Sequence, residues 1–234
     1  MRMWLLVVQL CVALPAQALS GFEVSSSPTD KPNSYTVTLR GVLDAPPAAV
    51  RHVVLRPCEF RKRYKYIDEC VLWKTEGNTA WGYTLLDLPV LDPRDYIAVR
   101  TVEQDLNPDG TGSMTLRFVE DHTVGPQRRK GVIRVEVNQG VYMMSPVDGG
   151  TRTLVTYTLT CSPGGVVPLW LAKIAAKRAG PETLERIEKV AREVHQQKTV
   201  QLPVAGAPWA GVKTEMPTLP MITAAPAAAM TTEK

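Results

Sequence analysis

Arg100 is the side chain whose placement matters most for chemistry. It lies in PVLDPRDYIAVRTV, Pro89 to Val102, where a polar turn, DPRD, feeds an alternating run. Strand parity sets Tyr96, Ala98 and Arg100 on one face and Ile97, Val99 and Thr101 on the other. One face is apolar and the other puts a long cation beside an aromatic ring. That pattern suits a sheet packed on one side and lining a partly polar cavity on the other. A guanidinium turned inward needs a carboxylate or a phosphate, and its planar fork fits either. The alternative is an Arg100 on the outer sheet face, in water. Arg94 and Asp95 read as a local ion pair that fixes the start of the strand.

Other reactive side chains are sparse. His52, His122 and His195 fall on a helix, a loop and a helix end, without the spacing of a metal site, so no metal or cofactor is implied. Nucleophile elbow, phosphate loop and paired carboxylates in a shared setting are all missing from the sequence. A formal charge of +4 over 234 residues is too diffuse for a nucleic-acid partner. Met1 to Ala18 carries Arg2, an apolar run from Trp4 to Leu14, and Ala16-Gln17-Ala18. It reads as a cleavable signal peptide for export to the periplasm or beyond, with an uncleaved N-terminal anchor as the alternative. Outside that run, Cys58, Cys70 and Cys161 remain. In an oxidising compartment they give one bridge, with Cys58 and Cys70 as the nearer pair, or three buried thiols.

These residues must be positioned by a chain that is 44% hydrophobic and 21% charged, enough for one substantial core. Residues 19–33 read as an irregular lead-in. Ser34 to Leu43 alternates as a strand, and Pro46-Pro47 opens a short helix over Ala48 to Leu55. The basic run Glu59 to Tyr66 reads as a solvated helical turn before a strand from Ile67 to Lys74. Further strands are expected over Thr79–Leu88, Ile97–Glu103 and Ser113–Glu120. Lys130–Asn138 is expected to pair with Val141–Ser145 across a Gln139-Gly140 turn, followed by a strand over Arg152–Cys161. Such a meander needs a cover for its apolar face. The segment from Leu169 to Lys198 supplies it, with Leu184, Ile187, Val190, Ala191 and Val194 on one stripe. Gly180-Pro181 is expected to kink or divide this helix. Residues 199–234, rich in Pro, Ala and Thr, read as a disordered tail.

The architecture is thus α+β, a curved antiparallel sheet wrapped around a long C-terminal helix, the helix grip. Three segments extend the comparison. DPRDYIAVR (Asp92 to Arg100), KGVIRVEV (Lys130 to Val137) and SPGGVVPLWLAKIAAK (Ser162 to Lys177) resemble, in order, motifs of START lipid-transfer domains. The resemblance covers residues 34–198 and implies a closed tunnel for one lipid or sterol-like molecule, gated by the last helix and the 121–129 loop. Sterol-carrying members pair the arginine at position 100 with an acid on the preceding strand. Here AWGYTLLDLP has no acid before Asp87, which leaves a bound phosphate, or Glu136, as counter-charge.

Candidate walls are Tyr83, Leu85, Met114, Leu116, Met143, Leu171, Ala175 and Leu184, all equally compatible with plain core positions. Arg128-Arg129-Lys130 at the end of the loop would attract anionic head groups, at about 1 kcal/mol per charge near an acidic membrane, or form an ordinary solvated loop. The expected protein is a monomeric, non-enzymatic lipid binder that touches a membrane surface transiently. The wider superfamily includes cyclases and hydratases. Tyr96, Arg100 and Glu136 are the residues an enzyme of that kind would use here.

Overall fold

A computed structural model describes residues 21–222 except positions 90 and 166, and leaves out several side chains in the first half of the last helix. The strands are β1 (Glu23–Ser27), β2 (Tyr35–Leu43), β3 (Ile67–Glu76), β4 (Thr79–Leu86), β5 (Arg94–Gln104), β6 (Met114–Glu120), β7 (Gly125–Pro126), β8 (Ile133–Arg134), β9 (Asn138–Val147), β10 (Arg152–Cys161) and β11 (Met221–Ile222). The helices are α1 (Pro47–Leu55) and α2 (Leu169–Gln196). The main sheet runs β1-β2-β10-β9-β6-β5-β4-β3, antiparallel throughout, with β8 added in parallel to β5.

Strand alternation has a direct physical outcome. Tyr35, Val37, Leu39 and Leu43 of β2 point to the concave face, while Thr36, Thr38, Arg40 and Val42 stay more exposed. Val102, Met114, Leu116, Met144 and Val155 join them, and the stripe Leu184, Ile187, Val190, Ala191 and Val194 of α2 closes over this core together with α1. Pro47 stands in the first turn of α1, where its missing N–H costs nothing. A second, smaller cluster, Tyr83, Leu85 and Ile97, lies on the convex face under Trp73, Val132 and Leu219.

Four expectations are corrected. The lead-in is not wholly irregular, because Glu23–Ser27 pairs with β2 as an edge strand. Lys130–Asn138 does not form one arm of a hairpin: only Ile133–Arg134 is extended, it pairs with β5, and Gln139-Gly140 lies inside the continuous strand β9. The last helix is not divided at Gly180-Pro181. Gly180 instead allows close packing, since a Cβ there would come within 2.8 Å of Leu39. Finally, the chain after α2 is ordered over the described part of the tail. Trp209 is buried in the main core and β11 pairs with β7. Residues 1–20, including the signal-peptide reading, and 223–234 lie outside the described residues.

The tail is held by three buried basic side chains around α1. Arg51 makes a bidentate pair with Asp105 (2.6 Å) and donates to the Pro208 carbonyl (2.9 Å). Arg56 donates to Gln201 and to the Ala210 carbonyl (3.1 Å). His52 Nδ1 accepts the Gln201 backbone N–H at 3.0 Å, so the ring is neutral. Burial, reinforced by Arg56 and Arg51, lowers its pKa from 6.5 to about 4. The unfolded chain therefore binds the extra proton first. Stability should be full above pH 6.5 and fall progressively as pH drops through the window down to about 4. Urea titrations at several pH values check this, and His52→Gln should flatten the slope in that window.

Candidate functional site

The concave face changes character along its length. At the end closed by α1 and the second half of α2 it is filled. Toward the other end it carries Tyr96, Arg100, Phe118, Tyr142, Tyr157 and Cys161. All except Phe118 keep partial accessibility although they face inward. Arg100 is placed there by register: it sits opposite Ala80 on one side and Phe118 on the other, both core positions. Tyr142 and Tyr157 are cross-strand partners whose rings stack at 4.1 Å, and Phe118 lies about one ring away from both, at 6.3 and 6.2 Å. Tyr64, from the segment before β3, packs onto the same core.

The electrostatics of this patch are one-sided. Burial pushes the hydroxyls of Tyr142, Tyr157 and Tyr35 well above their ordinary range, and that of Tyr64 up to about 12. All are neutral donors at physiological pH. Burial also raises the pKa of the Cys161 thiol, with the nearby Tyr35 hydroxyl acting against the shift. Arg100 brings a full positive charge, and its Nη1 is shielded from solvent without a hydrogen-bond partner among the described residues. A shielded guanidinium N–H left unpaired is costly, and an acceptor placed beside it would remove that cost.

On the convex face the three sequence motifs meet. Asp95 takes a bidentate bond from Arg134 (2.6 and 3.0 Å), and both residues are almost fully buried. Tyr83 donates its hydroxyl to the same carboxylate at 3.2 Å, and Arg134 also donates to the Pro126 carbonyl at 3.1 Å. Arg94 turns away from Asp95, as adjacent strand residues must, and donates to the Pro163 carbonyl at 2.8 Å. Gly164 and Gly165 have positive φ, and a Cβ on either would come within 2.8 Å of Ile133. The third motif can therefore lie against the second only with glycine there.

Comparison with known proteins agrees with this layout. The START domain family model matches residues 3–198. The chain belongs to the START domain family. It is 35% identical over 133 residues to an uncharacterized protein of Pseudomonas aeruginosa, covering 55% of this chain and 63% of that one, so the alignment spans less than two thirds of that relative. It is 28% identical over 168 residues to the phosphatidylcholine transfer protein of Rattus norvegicus, covering 70% and 76%. The crystal structure of human STARD10 superposes with a TM-score of 0.60 at 19% identity, covering 78% of each chain.

Within this START domain the candidate residues divide by face. Tyr96 and Arg100 share the concave patch, whereas Met114, Leu116 and Leu184 belong to the filled core at its closed end. Tyr83 and Leu85 are corrected: strand parity sends them to the convex cluster, where they pack under the 125–134 segment. Met143 is corrected as well, being 44% exposed, and its neighbour Met144 is the buried one. Glu136 is exposed and bound to Arg128 at 2.6 Å, so it is no counter-charge for Arg100. The set Tyr96, Arg100 and Glu136 is consequently not assembled.

The Arg94–Asp95 ion pair is replaced by Asp95–Arg134. Leu171 and Ala175 lie in α2, with side chains outside the described residues. Cys58 and Cys70 are joined by a disulfide and Cys161 is free. Sequence reasoning missed the tyrosines at 64, 142 and 157 and the Asp95–Arg134 pair. The signal available for Tyr142 and Tyr157 was their alternation with glycine and valine in β9 and with threonine in β10.

Removing one partner of a buried ion pair strands the other charge. Arg134→Leu should cost about 3–5 kcal/mol in chemical denaturation. The Asp95→Leu/Arg134→Leu double variant should lose less than the sum of the two single changes, which a double-mutant cycle measures.

Proposed function

We propose that this START domain binds one hydrophobic molecule bearing a phosphate or similar anionic head group, in a chamber lined by the concave aromatic patch. The observation that carries the reading is Arg100. Its Nη1, shielded from solvent and without a partner among the described residues, lies in a patch of neutral tyrosine hydroxyls where no described carboxylate pairs with it, which suits an oxyanion. The aromatic faces of Phe118, Tyr142 and Tyr157 suit the apolar portion beside it, and each methylene buried there contributes about 0.8 kcal/mol. The phosphatidylcholine transfer protein among the relatives supports a lipid ligand of this class.

Exchange would proceed by movement of the last helix. Residues 125–129, part of the expected 121–129 gate, are held by the buried bond from Arg134 to the Pro126 carbonyl and by the β7–β11 pairing, which argues against their opening. Trp170 and Ile174, one helical turn apart and exposed on α2, would meet a membrane surface during loading. Residues 1–18 would direct export, in keeping with a disulfide elsewhere in the chain.

Arg100→Leu should weaken binding of phosphate-bearing lipids roughly ten- to a hundredfold, the worth of a charged hydrogen bond, while leaving fold and binding of uncharged sterols intact. Native mass spectrometry and fluorescent-lipid titration of wild type and variant decide it. Equal loss of every ligand would refute the anchor role.

A further inference from the structure

We propose that the concave chamber selects lipids whose head group is anionic and free of any amine, phosphatidylglycerol or phosphatidic acid, over the zwitterionic phosphatidylcholine and phosphatidylethanolamine. Gly82 sets this selectivity by withholding a carboxylate from Arg100. The inference rests on the binding reading above.

Arg100 is opposite Ala80 in the β4–β5 register, and its guanidinium reaches the next concave position of β4. A Cβ at Gly82 would stand 3.8 Å from Arg100 Nη1. An acid at that position would carry its carboxylate within hydrogen-bond reach of the nitrogen. Glycine carries none, and Nη1 has no partner among the described residues.

Acids elsewhere do not take that place. In β5, β6, β9 and β10, the strands that carry the patch, the acids are Asp95, Glu103 and Glu120. Asp95 is turned to the convex face and bound by Arg134, and Glu103 pairs with Arg117 at the surface. Glu120 shares the parity of Phe118, but Lys31 Nζ (3.2 Å) and the Asn138 backbone N–H (3.1 Å) occupy its two oxygens. The charges close enough to act on the Tyr64 and Tyr142 hydroxyls are those of Arg100 and Arg186, with no carboxylate among them. Outside the described residues the sequence holds a single acid, Glu233, whereas Leu169 to Gly180 of α2 contains Lys173, Lys177 and Arg178 and no acid.

An ammonium group removed from water is stabilised by a carboxylate or by aromatic faces set around it. Tyr142 and Tyr157 stack on each other with centroids 4.1 Å apart, and Phe118 lies 6.3 and 6.2 Å from them. Rings this close touch one another, so they form a wall and leave no gap between them for a trimethylammonium group. A choline or ethanolamine head would bring a second desolvated cation beside Arg100 with no described carboxylate to pair it. Glycerol hydroxyls or a bare phosphate bring only groups that Arg100 and the tyrosine hydroxyls can bond.

The test loads the full chain from vesicles holding equal amounts of phosphatidylglycerol and phosphatidylcholine with the same acyl chains, then quantifies the extracted lipid. Phosphatidylglycerol should exceed phosphatidylcholine at least about tenfold, the worth of one charged hydrogen bond, and phosphatidic acid should show a similar excess in its place. Equal or greater occupancy by phosphatidylcholine overturns the selectivity and leaves the binding reading standing; no bound lipid of any kind overturns both. Millimolar inorganic phosphate should not displace the lipid, and displacement would mark a free-phosphate site and overturn the proposal.

Gly82→Asp should bring the preference below about twofold, because its carboxylate takes Arg100 from the head group. Gly82→Asn, close in size and uncharged, should keep at least about fivefold. Equal loss in both would mean crowding against Leu72, whose Cδ2 lies 2.7 Å from the Cβ position, and would overturn the role of Gly82. If thermal melting shows that Gly82→Asp does not fold, Arg100→Gln decides: the preference should disappear, and a preference that survives overturns the proposal.

Discussion

The buried bond between Asp95 and Arg134 organises the molecule. Two charges almost wholly removed from water are tolerable only with matched geometry and all remaining donors satisfied. The bidentate contact, the Tyr83 hydroxyl and the Pro126 carbonyl meet that condition together. Satisfying it fixes β8 beside β5, draws Gly125-Pro126 down onto Ile97 and Trp73, and so gives the tail a strand to pair with at β7. Arg94, on the opposite parity, secures the chain leading into α2 through Pro163. One short stretch, Arg94-Asp95, therefore anchors both the convex cover and the start of the last helix.

The rigidity of that side contrasts with the concave face. There the packing divides into a dense end, where aliphatic side chains of six strands meet α1 and the stripe of α2, and an aromatic end whose polar groups exceed their internal partners. Close-packed interiors lack unpaired charges because the cost is prohibitive. Among the described residues Arg100 Nη1 has no acceptor at this aromatic end, a departure from core packing of the kind that often accompanies binding sites.

The tail illustrates how tertiary partners override composition. A Pro/Ala/Thr-rich segment has little to bury on its own. Trp209 gives this one an apolar anchor, and the carbonyls of Pro208 and Ala210 serve as acceptors for arginines that α1 turns toward it. Arg51, His52 and Arg56 are buried because the tail covers them, and the tail is ordered because they offer it donors and an acceptor. Neither half of that arrangement is visible from its own stretch of chain, although a lone tryptophan in an otherwise low-complexity tail was a hint.

What the sequence determined by itself is the local and periodic part of the structure. Alternation located β2, β4, β5 and β6, Pro46-Pro47 opened α1, the 3.6-residue stripe defined the buried face of α2, and parity put Tyr96 and Arg100 on one face. Motif resemblance then supplied the family. Tertiary structure alone decided which face each strand turned inward, and so sent Tyr83 and Leu85 to the convex side. It also gave Asp95 a partner 39 residues away instead of its neighbour, and left Arg100 without the carboxylate that Glu136 had been expected to supply. The reason is physical: periodicity constrains a residue relative to its near neighbours, whereas burial and charge pairing are settled by whichever distant segment arrives to exclude water.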